Sequence, residues 1–356
     1  MVDCKFAKFD DPPAYLRIEQ LCSRIIFAKF ARIFPLVLLL ATATVAQQEP
    51  SLRVQSNVVL VPTLVKDAQG HNVYGLTQKD FVVDDDGVEQ AIQLDDSAES
   101  EPISVVVAIQ TGRRAWREFL RMRGVGSMLG PVFDHPQSRV ALVEFDSKVT
   151  LVENFSADET AFDNDLKNLQ AGDNGAAIRD VVEFSVHLLE KEPAGRQRVL
   201  LLVCENRDHG SHVTKTTDDV VTVIGNGNTV VYALAFSPAL SQVLDTERGS
   251  NRDEAYWNAP PNIVGSILMI RNSMKKNITK TIAEMTGGEY ELFTSRKSFE
   301  GRLVDFNNHL RSRYVLSFAP QSPHPGLHQI HVRLKQPPDG VHILARTSYW
   351  AAGTIP

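Results

Sequence analysis

The sequence predicts an α/β protein: a doubly wound, mostly parallel sheet flanked by helices and carried between β-rich N- and C-terminal flanks. Three observations predict it. The segment ISVVVAIQ (Ile103–Gln110) is a run dominated by β-branched residues that ends in a polar turn and leads into a helical pattern. A strand apolar on both faces belongs in a parallel sheet covered by helices, and its carboxyl end delivers a loop to the edge where such sheets hold their ligands. From Pro102 onward, strand and helix patterns alternate at the spacing of crossover units. Outside this region the period is two, the signature of half-buried antiparallel strands.

Taken in order, Val54, Val58, Leu60, Pro62 and Leu64 alternate as one strand, and Asp67–Gly70 is a turn. Phe81–Val83 is a second strand, and Asp86-Gly87 between apolar runs is a hairpin signal. These pieces read as part of a small β-sandwich. The central strands are Ile103–Ile109, Arg139–Phe145, Val199–Cys204, Thr229–Phe236 and Tyr290–Phe293, with Lys148–Val152 as a short antiparallel edge strand. Helices are expected at Ala115–Leu129, Asp158–Leu169, Ile178–Glu190, Thr216–Ile224, Ser273–Thr286 and Phe299–Leu310, with Thr286-Gly287-Gly288 as a helix stop. Segment 237–272, with Pro238, Pro260 and Pro261, reads as a surface insertion near the carboxyl edge. Strands resume at Tyr314–Phe318, His328–Leu334 and Val341–Thr347, and the two flanks are expected to pack on one another.

Composition excludes some functions. A net charge of −6 with 22% charged residues supplies no basic stripe for phosphate neutralisation, so no nucleic-acid partner is expected. The run Arg113, Arg114, Arg117, Arg121, Arg123 is the one exception, and a solvated helix face explains it. IFPLVLLLATATVA (Ile33–Ala46), with Lys29 and Arg32 before it and small residues at its end, has the form of a secretory signal peptide cleaved after Ala46. At about 14 residues it is short of the roughly 20 a spanning helix needs; left uncleaved, it would be a membrane anchor. The acidic, Pro-containing stretch before it reads as a leader lying upstream of the true start. Removal of residues 1–46 takes Cys4 and Cys22 with it, leaving Cys204 at the end of an apolar strand as a small core hydrophobe rather than a nucleophile.

The chain resembles the secreted von Willebrand factor A-related proteins of bacteria. VVLVPTLVKDAQGHNVYGLTQKDFVVDDDGVEQAI (Val58–Ile92) is similar to their opening, and IAEMTGGEYELF (Ile282–Phe293) and LRSRYVLSFAPQ (Leu310–Gln321) to their close. The resemblance implies an A-type domain whose carboxyl-edge loops form a metal-ion-dependent adhesion site, and it is there that this chain departs. The family's first loop supplies one carboxylate and two hydroxyls; here Gln110, Gly112 and Arg114 stand in those places, with Thr111 and Arg113 between them. A guanidinium beside a divalent ion is strongly unfavourable. Where the second loop presents a threonine, this chain has Ala176, preceded by Asn174 and Gly175. Where the third presents an aspartate, it has Glu205, with Asp208 nearby. The site is therefore read as degenerate: no metal and no cofactor are expected, and either Arg113 or Arg114 replaces the cation through a bidentate pair with a partner's carboxylate, or the loop has drifted.

Other clusters read blandly. Asp84-Asp85-Asp86 lacks the spacing of a calcium loop and is a charged turn. His328 and His331, three apart on a strand, face opposite sides and cannot share a metal. The sequence contains no G-x-S-x-G, Walker or H-E-x-x-H motif, so no catalytic residues are nominated and no enzyme is expected. The expected organisation is a leader and signal peptide over 1–46, a β-rich flank over 47–101, the A-type domain over 102–312 and a second β-rich flank over 313–356. The expected function is a non-catalytic exported module, secreted or in the cell envelope. It binds a protein partner, one that presents an acidic residue, through Gln110, Thr111, Gly112, Arg113, Arg114, Asn174, Ala176, Glu205 and Asp208. Two alternatives stand beside it: a metal-dependent adhesion module using Glu205 and Asp208 as ligands, and a structural part of an envelope assembly that works through its β-rich flanks.

Overall fold

Six strands form the central sheet: β5 (Ile103–Gln110), β6 (Arg139–Phe145), β7 (Val149–Ser156), β8 (Gln197–Cys204), β9 (Thr229–Phe236) and β10 (Tyr290–Phe293). The computed structural model describes residues 58–95, 101–112, 115, 125–211, 216–236, 263–321 and 324–351, all within one compact unit, Ser56–Pro356. The spatial order is β10-β9-β8-β5-β6-β7, with every pair parallel except the edge pair β6–β7. This is the doubly wound sheet expected, with its antiparallel strand at one edge. Strand β5 is buried along its whole length, and its two faces feed two cores. Val105, Val107 and Ile109 pack with Phe162, Phe299, Leu303 and Phe306 on one side. Val106 and Ala108 pack with Ile178, Val182, Ile224 and Ile282 on the other. Each of these side chains larger than alanine contributes about 1.5–3 kcal/mol by leaving water.

The helices on these faces are α1 (Val125–Met128), α2 (Gly130–Phe133), α3 (Glu159–Asn168), α4 (Ile178–Glu190), α5 (Thr217–Asn226), α6 (Ile263–Lys276), α7 (Ile278–Thr286) and α8 (Arg296–Arg311). Two expectations need revision here. Ser273–Thr286 is not one helix: Asn277 ends α6 and caps α7, its side chain accepting from the Lys280 N–H at 3.0 Å. The last part of the expected insertion, Ile263–Asn272, is helical, and Ile270 lies in the core at 8% exposure. Apolar spacing along Ile263–Ile270 suits a helix face, and burial against the sheet decided it. Segments 1–57 and 237–262, and most of the expected helix Ala115–Leu129, lie outside the described residues. Among the described residues no helix is long and apolar enough to cross a membrane.

The remaining strands form two antiparallel sheets. One has the order β13-β1-β11-β4, from His342–Ala345, Val59–Lys66, Tyr314–Phe318 and Ile92–Asp95. The other has the order β14-β12-β2-β3, from Ser348–Ala351, Gly326–Leu334, Phe81–Asp85 and Val88–Glu89. Their inner faces share a core containing Val61, Val65, Val83, Leu316, Phe318, Ile330 and Tyr349. Strands from both flanks thus meet in each sheet, alternating in the first: Val59 pairs with Phe318, and Val83 with Val332. The expected strand Val341–Thr347 is shorter, His342–Ala345, and a strand not expected, Ser348–Ala351, follows in the other sheet, with the buried Arg346 between them.

Two buried polar clusters tie this sandwich to the α/β layers. Glu289 accepts from Lys66 Nζ at 2.8 Å and Arg313 Nη2 at 3.3 Å, and pairs with His309 Nδ1 at 2.9 Å. Arg313 also donates to the Tyr232 hydroxyl at 2.6 Å and to the Gly287 carbonyl. Burial alone would raise the Glu289 carboxyl, but His309, Arg313 and Lys66 outweigh it and hold it at about 2. In the second cluster Arg346 donates to the carbonyls of Ser348, Leu60 and Gly225 and to the Asn228 side chain. Burial lowers its guanidinium to about 10, so it stays charged at neutral pH.

Candidate functional site at the carboxyl edge of the sheet

The carboxyl ends of β5, β6 and β8 open into three loops that meet a fourth, between α3 and α4, and backbone contacts lock them together. Thr111 N–H donates to the Phe145 carbonyl at 2.9 Å, and Gly172 N–H to the Thr111 carbonyl at 2.9 Å. Ala176 and His209 form an isolated antiparallel bridge, with N–H to carbonyl distances of 2.5 and 3.0 Å. Asp146 caps the turn after β6, accepting from Lys148 N–H at 2.9 Å and, on its other oxygen, from Asp173 N–H at 2.9 Å. Asp173 in turn accepts from Gly175 N–H at 2.6 Å and from the Ser147 N–H and hydroxyl. The Ser147 hydroxyl is the main reason the Asp173 carboxyl sits below its ordinary value.

Small residues let these loops pack closely on one another. A Cβ on Gly112 would lie 2.6 Å from the Gly175 carbonyl oxygen and 3.2 Å from that of Asp173. A Cβ on Gly175 would lie 2.4 Å from Ser147 N. The space a side chain at position 112 would need is therefore taken by the backbone of Asp173 and Gly175. Restoring a hydroxyl there by Gly112→Ser is expected to cost about 1–3 kcal/mol through overpacking. Urea unfolding of the variant measures it; a variant as stable as the parent would show that the loops yield.

Gln110 and Glu205 face one another across β5 and β8 and satisfy each other. Gln110 Nε2 donates to Glu205 Oε1 at 2.8 Å, and the Glu205 N–H donates to Gln110 Oε1 at 2.9 Å. The same carboxylate oxygen meets His209 Nε2 at 2.6 Å. The neutral amide thus supplies a donor where a carboxylate would have required a cation between the two chains. Asp208 is also held from within: its two oxygens take the Arg179 N–H at 2.8 Å, the Arg179 guanidinium at 3.2 Å and the Ser211 hydroxyl at 2.6 Å. Adjacent Cys204 is fully buried with its thiol pushed well up, by burial first and then by Glu205 and Asp208, so it is no nucleophile.

The nominated residues do not all reach solvent. Gln110, Thr111, Gly112, Ala176 and Glu205 are buried, Asp208 is half-buried and Asn174 is exposed. Arg113 and Arg114 lie outside the described residues. Sequence reasoning missed Asp146, Ser147, Asp173, Arg179 and His209. Position just past β6 could have flagged Asp146; the others are joined only by tertiary contacts.

No family model and no curated protein matches the chain. Solved structures similar to it include the conserved hypothetical protein BatB from Bacteroides thetaiotaomicron, with a TM-score of 0.37 and 11% identity over 58% of this chain and 98% of that one. The vWF domain of the type V pili tip protein Mfa5 from Porphyromonas gingivalis has a TM-score of 0.29 and 14% identity over 33% of this chain and 43% of that one. The pilus adhesin SpaC from Lactobacillus rhamnosus GG has a TM-score of 0.39 and 11% identity over 70% of this chain and 34% of that one.

Proposed function

We propose that this chain is a non-catalytic, exported protein-binding module that uses the carboxyl edge of its sheet without a metal there. The observation carrying this reading is the Gln110–Glu205 pair, which fills the centre of the edge with self-satisfied hydrogen bonds. The buried residues of the nominated set act as the frame. Contact falls to the outward rim of Asp173, Asn174 and Arg207, together with Arg113 and Arg114. Loops already fixed by backbone bonds lose little freedom on binding, which favours a preformed recognition surface. The alternative with Glu205 and Asp208 as metal ligands is disfavoured because Asp208 is hydrogen-bonded on both oxygens and Glu205 is engaged by Gln110 and His209.

The test compares capture of a partner from a cell-envelope extract by the immobilised full chain and by two variants. Arg114→Ala is expected to weaken capture at least tenfold, and Lys335→Ala, on the distant sandwich, to leave it unchanged. Equal effects would overturn the site assignment, and loss with Lys335→Ala alone would move the contacts to the β-rich flanks.

A further inference from the structure

A second polar cluster lies in the sandwich, far along the chain from the edge loops. Asp86 sits in the two-residue turn between β2 and β3, with φ of 49° followed by Gly87 at 84°. His324 precedes β12 and His328 lies within it. The side chains of Asp86, His324 and His328 converge so that one ligand atom from each lies within 4.8 Å of the others. Asp86 Oδ2 is 2.9 Å from His328 Nδ1 and 3.3 Å from His324 Nε2. The two imidazoles stack at 4.0 Å, and Tyr349 stacks on the far side of His328 at 4.7 Å.

The protonation pattern leaves a gap. His328 Nε2 lies 2.8 Å from the His324 carbonyl oxygen, which can only accept, so Nε2 carries the proton. In the neutral ring Nδ1 is then a lone pair aimed at the carboxylates of Asp86 and, at 3.4 Å, Asp85. His328 is 97% buried, and both its Nδ1 and Asp85 Oδ1 lack a hydrogen-bond partner. Lone pairs facing one another in a buried site call for a proton or a metal cation between them. The surroundings are those of metal ligands: one histidine gives its other N–H to a backbone carbonyl, and Asp86 Oδ1 accepts the Gln329 N–H at 2.9 Å. The other oxygen of Asp85 is held by the Tyr349 hydroxyl at 2.9 Å.

We propose that Asp86, His324 and His328 bind a borderline divalent cation of the zinc class, with Asp85 or water completing a tetrahedron. Two imidazoles and a carboxylate suit Zn2+ rather than Mg2+ or Ca2+, which demand oxygen cages. Ligand atoms around tetrahedral zinc stand about 3.3 Å apart, close to the two distances to Asp86, and the exposed His324 ring must turn out of its stack on His328 for both lone pairs to face one ion. His324, 44% exposed, leaves the site open to solvent on one side. The site is independent of the carboxyl edge and joins β2, β12 and the chain before β12.

The experiment is calorimetric titration of the chelator-stripped full chain with Zn2+, with Co2+ absorption as the readout of geometry. One saturable equivalent and a tetrahedral Co2+ spectrum are expected. His324→Ala, at an exposed position, and Asp86→Asn, which tolerates positive φ, should each weaken binding at least tenfold, while Glu205→Gln leaves it unchanged. Absence of saturable binding, or binding untouched by both variants, would overturn the proposal and leave His328 as an imidazolium paired with the aspartates. Loss of binding with Glu205→Gln would place the ion at the sheet edge and overturn both this proposal and the metal-free reading of that edge.

Discussion

Replacing Glu289 by glutamine is expected to cost about 3–5 kcal/mol of unfolding free energy at neutral pH, the range for breaking a buried ion pair. The carboxylate faces Lys66, His309 and Arg313 with 9% exposure, and the amide would leave the Arg313 charge buried without its counter-charge. Dependence on pH sharpens the test. The carboxyl is held at about 2 in the folded chain against an ordinary value of 4.5. A group whose folded value is depressed contributes stability that is fully present above the unfolded value. That contribution is lost as pH falls from about 4.5 towards 2, where the folded protein also takes up the proton. The parent should therefore lose stability across this window in excess of the Glu289→Gln variant, and the two curves should converge at its acid end. Parallel curves from urea unfolding between pH 6 and pH 2.5 would show that the cluster does not stabilise the fold through this charge.

Arg346→Ala is expected to have a comparable effect, about 3–5 kcal/mol, for a different reason. No carboxylate pairs with this guanidinium among its hydrogen-bond partners; it satisfies the carbonyls of Leu60, Gly225 and Ser348 and the side chain of Asn228. Truncation leaves buried acceptors unpaired and opens a cavity where the sandwich meets α5. Arg346→Lys keeps the charge but cannot span four acceptors with one ammonium, so it should recover only part of the loss. Thermal unfolding and limited proteolysis of the three proteins check this. Equal midpoints for Arg346→Ala and the parent would remove the residue from the joint between the layers.

Much of this architecture was legible because burial on both faces leaves an unambiguous trace. Strands β5, β8 and β9 are mostly apolar, and β11 was placed with its observed ends. The break at Asn277 was not legible, since apolar spacing continues across it and only the side-chain cap reveals the new helix. Nor were the end of the strand at Ala345 and the start of another at Ser348, which depend on where Arg346 finds its carbonyls. At the edge, the substitutions at Gln110 and Gly112 were visible one by one. Their mutual fit was not, because it depends on the loop at Gly175 settling against Gly112. His324, His328 and Asp86 were each visible too, but the pairing of β2 with β12 had to be known before they could be seen as a group.

The interleaving of the two flanks has a consequence for how the molecule comes into being. Among the described residues, strand β1 pairs along its length with β11 and β13, and β4 with β11. A chain made from its N-terminus must therefore carry these edges unpaired until residues beyond 313 have emerged. Closing so long a loop costs little more free energy than closing a short one, since the entropy grows with the logarithm of length. Its effect on rate is larger, because long-range strand pairing is slow and the waiting edges are open to aggregation. The central layers, whose contacts are more local, should form first and offer the template on which the two ends meet, giving refolding in a fast and a slow phase. A chain shortened at residue 313 should keep the fast phase and lose the slow one.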